Sequence, residues 1–187
     1  MTFQAPDRAA GANPDDRKAT QPDPLSPEQR RRNMSAIRAR DTKPELMLRR
    51  GLHARGRRFR LHASHLPGRP DMVFPARRAL VFVHGCFWHG HSCHLFKRPA
   101  SNAQFWETKI GRNQRGDERV VAELRRSGWR VLIVWECAMR GKTRLEREAL
   151  LDLVVSWLDS EIGLATIEGE RPREVRPSQN AGASKNG

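Results

Sequence analysis

Three cysteines and their neighbouring histidines constrain this chain more than any other feature. Cys86, His91 and Cys93 fall within eight residues on a stretch that follows no helical or strand period. Cys137 comes two residues after the end of the apolar run Arg130-Val-Leu-Ile-Val-Trp135. Together they make a Cys₃His set, a recognised tetrahedral zinc combination, because soft thiolates and imidazole both suit that ion. The assignment uses every cysteine and explains an odd count that a disulfide framework would leave unpaired. Four protein ligands leave no place for water, so the expected zinc is structural. His84, His89 and His94 compete with His91 for the fourth place. Ordinary buried thiols are the plainer alternative.

Around that loop the chain reads as a mixed α/β protein. Ser26-Pro-Glu-Gln29 and Thr42-Lys-Pro-Glu45 are capping boxes, which predict helices from 26 to about 40 and from 42 to about 55. Phe59-Arg-Leu61 is expected as a short strand. Asp71 to Phe74 and Ala79 to His84 read as two strands joined by Pro75-Ala-Arg-Arg78. A helical period runs from about Gln104 to Ser127 and is expected to break or bend near Gly111 and Gly116. On it Asp117, Val121 and Leu124 share a face. Arg130 to Trp135 is a buried strand, and Thr143 is expected to cap a last helix with a stripe of Leu150, Leu153, Val154 and Trp157. The expected architecture is a mixed central sheet flanked by helices. Residues 1–25 and 169–187 are polar, without period, and are expected to be tails outside a domain of residues 26–168.

Folding the hairpin about its turn sets Phe74 opposite Ala79, and hence Asp71 opposite Phe82. Asp71, Phe82 and His84 then project to one face, with Val73 and Leu80 further along it. An acid at the start of one strand and an imidazole at the end of the next suit a hard-metal site. Asp supplies the oxygen ligand that Mg²⁺ prefers. His84 and His89 are candidates for general base or acid, since imidazole titrates near neutral pH. Asp117, an acid on an apolar helix face, needs a partner, and orienting a catalytic histidine is one solution. Against this, an Asp after Pro is often a turn former, and a lone His is often structural.

Charge points to the partner. Of 187 residues, 35 are Lys or Arg and 21 Asp or Glu, a formal net charge of +14. That excess is matched most simply by nucleic acid. No apolar stretch is long enough for a membrane span, and the N-terminus has no signal-peptide core, so a cytoplasmic protein is expected. Arg30, Arg31, Arg32, Arg38 and Arg40 would suit phosphate contacts or form a solvated face. Phe87, Trp88 and Trp106 are either core aromatics or wedges that enter a base stack, an insertion made easier by a mismatch.

Beyond these readings, several motifs carry a family resemblance. Leu66-Pro-Gly-Arg-Pro-Asp71, Val83-His-Gly-Cys-Phe-Trp-His89, Phe105-Trp106 and Gly128-Trp-Arg-Val-Leu-Ile-Val-Trp-Glu-Cys137 resemble the very short patch repair endonucleases. Asn33-Met-Ser-Ala-Ile-Arg38 and Asp41-Thr42 match as well, and the likeness runs from about residue 30 to about 160. It implies a fold like that of type II restriction endonucleases with a zinc site added. The implied activity is a Mg²⁺-dependent nick 5′ to the thymine of a T·G mismatch in double-stranded DNA. General mismatch-repair proteins are implied as partners, and a monomer is expected.

Residue by residue, the resemblance makes Asp71 the Mg²⁺ ligand, His89 the activator of the attacking water and Asp117 its partner. It puts His84 beside the scissile phosphate and makes Glu45 an active-site acid on an early helix. Cys86, His91, Cys93 and Cys137 become the zinc ligands. Phe87, Trp88 and Trp106 become wedges at the mismatch, with Met34 approaching from the other groove. Where the family places a metal-facing Thr, this chain has Val83. A restriction-like nuclease acting on paired DNA and an inactive mismatch-binding protein are the rival readings.

Overall fold

The computed structural model describes residues 41–170 except 62, together with residues 26, 28, 29 and 32. Of the first capping box, the Ser26 N–H donates to Gln29 Oε1 at 2.9 Å and the Gln29 N–H to Ser26 Oγ at 3.1 Å. Most of the expected basic helix, Met34 within it and the expected terminal tails to residue 25 and from 171 onward lie outside the described residues.

Helix α1 (Lys43–Ala54) begins where the second capping box puts it. Thr42 is its N-cap, with Pro44 in the first turn and Glu45 reaching back over the orphan donors. Strand β1 (Met72–Phe74) turns through a 3₁₀ segment, Pro75–Arg77, into β2 (Ala79–His84). Arg78 closes the turn in the left-handed region, at φ 44°. Helix α2 (Ala103–Arg126), β3 (Arg130–Trp135), α3 (Arg147–Leu158) and β4 (Leu164–Ile167) follow. The sheet has the order β1-β2-β3-β4. β1 and β2 are antiparallel, while β2, β3 and β4 run parallel.

Period-2 alternation divides the strands between two cores. Met72, Phe74, Ala79, Val81, Leu132 and Val134 face Leu48 and Leu52 of α1 and Leu150, Leu151, Val154 and Trp157 of α3. Val73, Leu80, Phe82 and Val131 face Leu124 of α2. Each such Leu, Val or Phe side chain contributes about 1.5–3 kcal/mol by leaving water. With both faces covered, β2 and β3 read as apolar runs with little polar alternation. Gly51 marks the crossing of α1 and α3, since a Cβ there would lie 2.6 Å from the Leu151 methyls.

Five details differ from the sequence expectations. Phe59-Arg-Leu61 is no strand; Arg60 alone bridges to Val73. α2 runs unbroken through Gly111 and Gly116, because its packing and polar anchors offset the roughly 1 kcal/mol that a helical glycine costs. α3 starts at Arg147 after Glu146, not at a Thr143 cap. On α3, Leu153 is 49% exposed and Leu151 takes its place in the core. The last strand, β4, was not expected, and the packed chain continues through Gly169 and Glu170. Among the described residues no helix is long and apolar enough to cross a membrane.

Candidate active site and metal centre

The β1–β2 hairpin builds one wall of a cavity of about 650 Å³. Its register, Phe74↔Ala79 to Met72↔Val81, carries on to put Asp71 opposite Phe82. Glu45, Arg49, Arg69, Asp71, His84, His89 and Asp117 all line this cavity. The structure therefore brings the five expected active-site residues together.

Asp71 Oδ2 accepts the Val83 N–H at 2.7 Å. Where the resemblance expects a Thr, Val83 thus still orients Asp71 through its backbone. Burial pushes the Asp71 carboxyl up to about 6; the Val83 bond and Arg49 pull the other way, and Glu45 adds to the rise. An acid strained in this direction suits a cation, because a nearby positive charge removes the cost of ionising it.

Glu45 is differently used. Its carboxylate accepts from Thr42 Oγ1 at 2.8 Å, from the Asp41 N–H at 3.0 Å and from Arg49 Nη2 at 3.0 Å. With its acceptor sites so engaged, Glu45 holds the pocket wall together. Arg49, 4.0 Å from Asp71 Oδ1 and 2.5 Å from Asp41 Oδ1, is the cation of this wall.

His84 and His89 stack with centroids 3.9 Å apart and planes 4° from parallel. Burial, with the neighbouring His89 second, pushes His84 down to about 4, so it is neutral at pH 7. His89 Nδ1 lies 2.5 Å from Asp117 Oδ2. A carboxylate only accepts, so Nδ1 is the donor in this contact. Asp117 reaches His89 because Val120, Val121 and Leu124 seat that stretch of α2 on the sheet. Asn113 Nδ2 donates to the Trp88 carbonyl at 2.8 Å and Gln114 Nε2 to the His89 carbonyl at 3.2 Å, anchoring the loop to the same helix.

The second cluster lies beyond Trp135. Ligand atoms of Cys86, His91, Cys93 and Cys137 lie within 4.8 Å of one another. His91 Nδ1 is 3.7 Å from Cys86 Sγ and 3.6 Å from Cys137 Sγ. Zinc at ordinary bond lengths and the tetrahedral angle would set N and S about 3.6 Å apart. The donor set therefore fits the ion. Burial pushes the Cys86 and Cys137 thiols up, so a bound cation is what would deprotonate them.

Of the competing histidines, His84 and His89 belong to the cavity. His94 is held by the Lys142 N–H and Thr143 Oγ1, at 3.3 and 3.2 Å. His84, His89 and Asp117 could also gather an ion by proximity. The 2.5 Å contact between His89 and Asp117 is instead a hydrogen bond.

Phe87, Trp88 and Trp106 belong to neither core. They form their own half-buried cluster, with Phe87 5.2 Å from Trp88 and 5.1 Å from Trp106 between centroids. Phe105, 59% exposed, extends it toward solvent.

Sequence reasoning missed three contributors. Arg49 had a signal in its i,i+4 spacing from Glu45. Trp135 stacks on His91 at 4.1 Å and meets His84 edge-on at 5.3 Å, a contact between strand ends that no spacing announces. Glu168, 2.8 Å from His91 Nε2, depends on β4 and had no signal.

Fold and site together define a mixed α/β protein with an acid–imidazole pocket beside a thiol–imidazole cluster able to hold a metal ion. A family profile described as "DNA mismatch endonuclease Vsr" matches residues 22–95. The chain is 48% identical to the DNA mismatch endonuclease Vsr of Escherichia coli K12 over 139 residues, 74% of this chain and 89% of that protein. It is 49% identical to the type II nicking enzyme V.XorIIP of Xanthomonas oryzae pv. oryzae over 66% of this chain and 91% of the other. With the type II nicking enzyme V.NmeAIP of Neisseria meningitidis the identity is 40%, over 65% and 86%. The chain belongs to the DNA mismatch endonuclease Vsr family.

Proposed function

We propose that this endonuclease nicks double-stranded DNA 5′ to the thymine of a T·G mismatch, the product of 5-methylcytosine deamination, and so begins very short patch repair. The carrying observation is the cavity in which Asp71, His84 and the Asp117-oriented His89 meet, with Phe87 and Trp88 on the same loop as His89 and packed against Trp106 of α2. The relatives' names, a mismatch endonuclease and several nicking enzymes, agree with one cut in one strand.

In this reading His89 Nε2 takes a proton from the attacking water, and Asp117 stabilises the imidazolium that results. His84, neutral and stacked on it, contacts the scissile phosphate without adding charge to its neighbour. Asp71, with DNA phosphate and water, would hold Mg²⁺, whose chemistry when bound is to neutralise charge developing on the phosphate oxygens. Among the described residues Glu45 is tied to Thr42, Asp41 and Arg49 and Asp117 to His89, so Asp71 is the cavity carboxylate we assign to the metal. Mg²⁺ keeps several waters and suits so sparse a protein set.

Cys86, His91, Cys93 and Cys137 would hold structural Zn²⁺. Phe87, Trp88 and Trp106 would enter the stack at the mismatch, with Met34 meeting them from the opposite groove. The sheet would serve as a type II restriction endonuclease-like scaffold. The enzyme would act as a monomer in the cytoplasm, with general mismatch-repair proteins following it.

The test is nicking of end-labelled T·G and T·A duplexes in Mg²⁺. The reading expects a single cut 5′ to the mismatched T, little on T·A, and none by Asp71→Ala. Equal cutting of both duplexes, or tight T·G binding with no cut, would sink it.

A further inference from the structure

We infer that Glu168 is an outer-shell acid of the zinc centre, and that residues 168–170 are built into that centre and fasten β4 to it. The inference rests on the zinc reading proposed above and extends it to a segment outside the four ligands.

Three independent contacts carry it. Both thiol sulfurs near His91 face its Nδ1, so Nε2 carries the proton and donates to Glu168 Oε2 at 2.8 Å. A carboxylate on the far nitrogen of a metal-ligating imidazole fixes its tautomer and raises its basicity. The Gly169 N–H donates to Cys137 Sγ at 3.3 Å. The Glu170 N–H donates to the Thr143 carbonyl at 2.8 Å.

Glycine at 169 is required by this approach. A Cβ there would lie 2.5 Å from the Cys137 carbonyl and 2.6 Å from that of Thr143, so only a bare backbone can pass. Trp135, stacked on the His91 ring with planes 13° from parallel, leaves Glu168 to fix rotation within the plane. β4 itself alternates between exposed and half-buried side chains, and no β4 residue is fully buried. Its attachment therefore relies on pairing with β3, on the partial packing of Ala165 and Ile167 against the core, and on these three bonds.

The experiment measures zinc release from the full chain to a chromophoric chelator, with hydrogen exchange as a second readout. Glu168→Ala should release zinc about 10- to 100-fold faster than wild type, in line with other outer-shell losses. Glu168→Gln, which keeps an acceptor and a similar shape, should fall between, and it carries the test if the alanine variant folds poorly. In wild type, stripping the zinc should speed exchange at amides 164–169 more than at β2.

Release from Glu168→Gln and Glu168→Ala within twofold of wild type, or β4 exchange indifferent to zinc, would overturn the inference. Wild-type protein isolated without zinc would instead overturn the metal reading beneath it.

Discussion

Replacing Asp71 by Asn should stabilise the protein in the absence of Mg²⁺ and abolish nicking in its presence. Asp71 is held against its own ionisation: 23% of its side chain meets solvent, and burial raises its carboxyl from 3.8 to about 6. The sign follows from linkage. Between those two values the folded state holds a proton that the unfolded state has released, so stability falls as pH rises through the window. At about 1.4 kcal/mol per pH unit, a rise of roughly two units costs about 3 kcal/mol once Asp71 is fully ionised.

Asn keeps an oxygen to accept the Val83 N–H and carries no charge to desolvate. Its stability relative to wild type should climb by about 2.4 kcal/mol from pH 4 to pH 7. His84 acts in the opposite sense: its pKa is lowered to about 4, and the stability it confers by staying neutral is lost as pH falls from 6.5. The two groups offset each other in wild type, so its curve between pH 4 and 6 should be flatter than that of Asp71→Asn. Urea denaturation across this range, with zinc retained and no Mg²⁺ added, measures both. Added Mg²⁺ should raise the midpoint of wild type but not of the variant. A variant less stable than wild type at pH 8, or a difference that does not change with pH, would refute the electrostatic account of the pocket.

Further outcomes follow from the same contacts. Asp117→Asn should lower single-turnover nicking by about 10²- to 10⁴-fold, because an amide can turn its NH₂ to His89 Nδ1 and leave the proton on Nε2; duplex affinity should be little changed. Cys137→Ser should lose zinc on metal analysis, and its melting temperature should fall and stop responding to a chelator. Trp88→Ala and Trp106→Ala should each weaken T·G duplex binding by about 1–3 kcal/mol in equilibrium titrations, with a smaller effect on T·A. Leu132→Ala, at a fully buried site between two helices, should cost about 2–5 kcal/mol in urea unfolding and leave the zinc content unchanged.

Much of the site was legible because strands have a strict period of two. Once Phe74 faces Ala79, the positions of Asp71, Phe82 and His84 on one face need no further information, and the register agrees. The thiolate set was legible from ligand chemistry. Choosing His91 over His94 required coordinates, since both lie on a loop whose path no period fixes. The early helix was legible from its cap, but α3 was misjudged there: Thr143 is spent on His94, and the helix opens at Arg147 without a side-chain cap. β4 was hidden for a different reason. With no fully buried side chain, it has too little apolar pattern to stand out from a tail, and parallel pairing to β3 creates it. Everything that depends on β4, Glu168 above all, was hidden with it.

The two clusters are joined through the end of β3, which couples the residues able to hold a metal ion to the cavity. Trp135 stacks on His91 on one side and meets the edges of His84 and His89 on the other, at 5.3 and 6.2 Å. Glu136 accepts the Cys86 N–H at 3.2 Å, and Cys137 completes the cluster. Trp135 and the two residues that follow it thus hold the His91 ring, the Cys86 backbone and a further thiol of the cluster. Since the loop from Gly85 to His91 also carries His89, fixing its two ends fixes the imidazole between them. A metal ion bound by Cys86, His91, Cys93 and Cys137 would narrow the positions His89 can take, without itself lining the cavity.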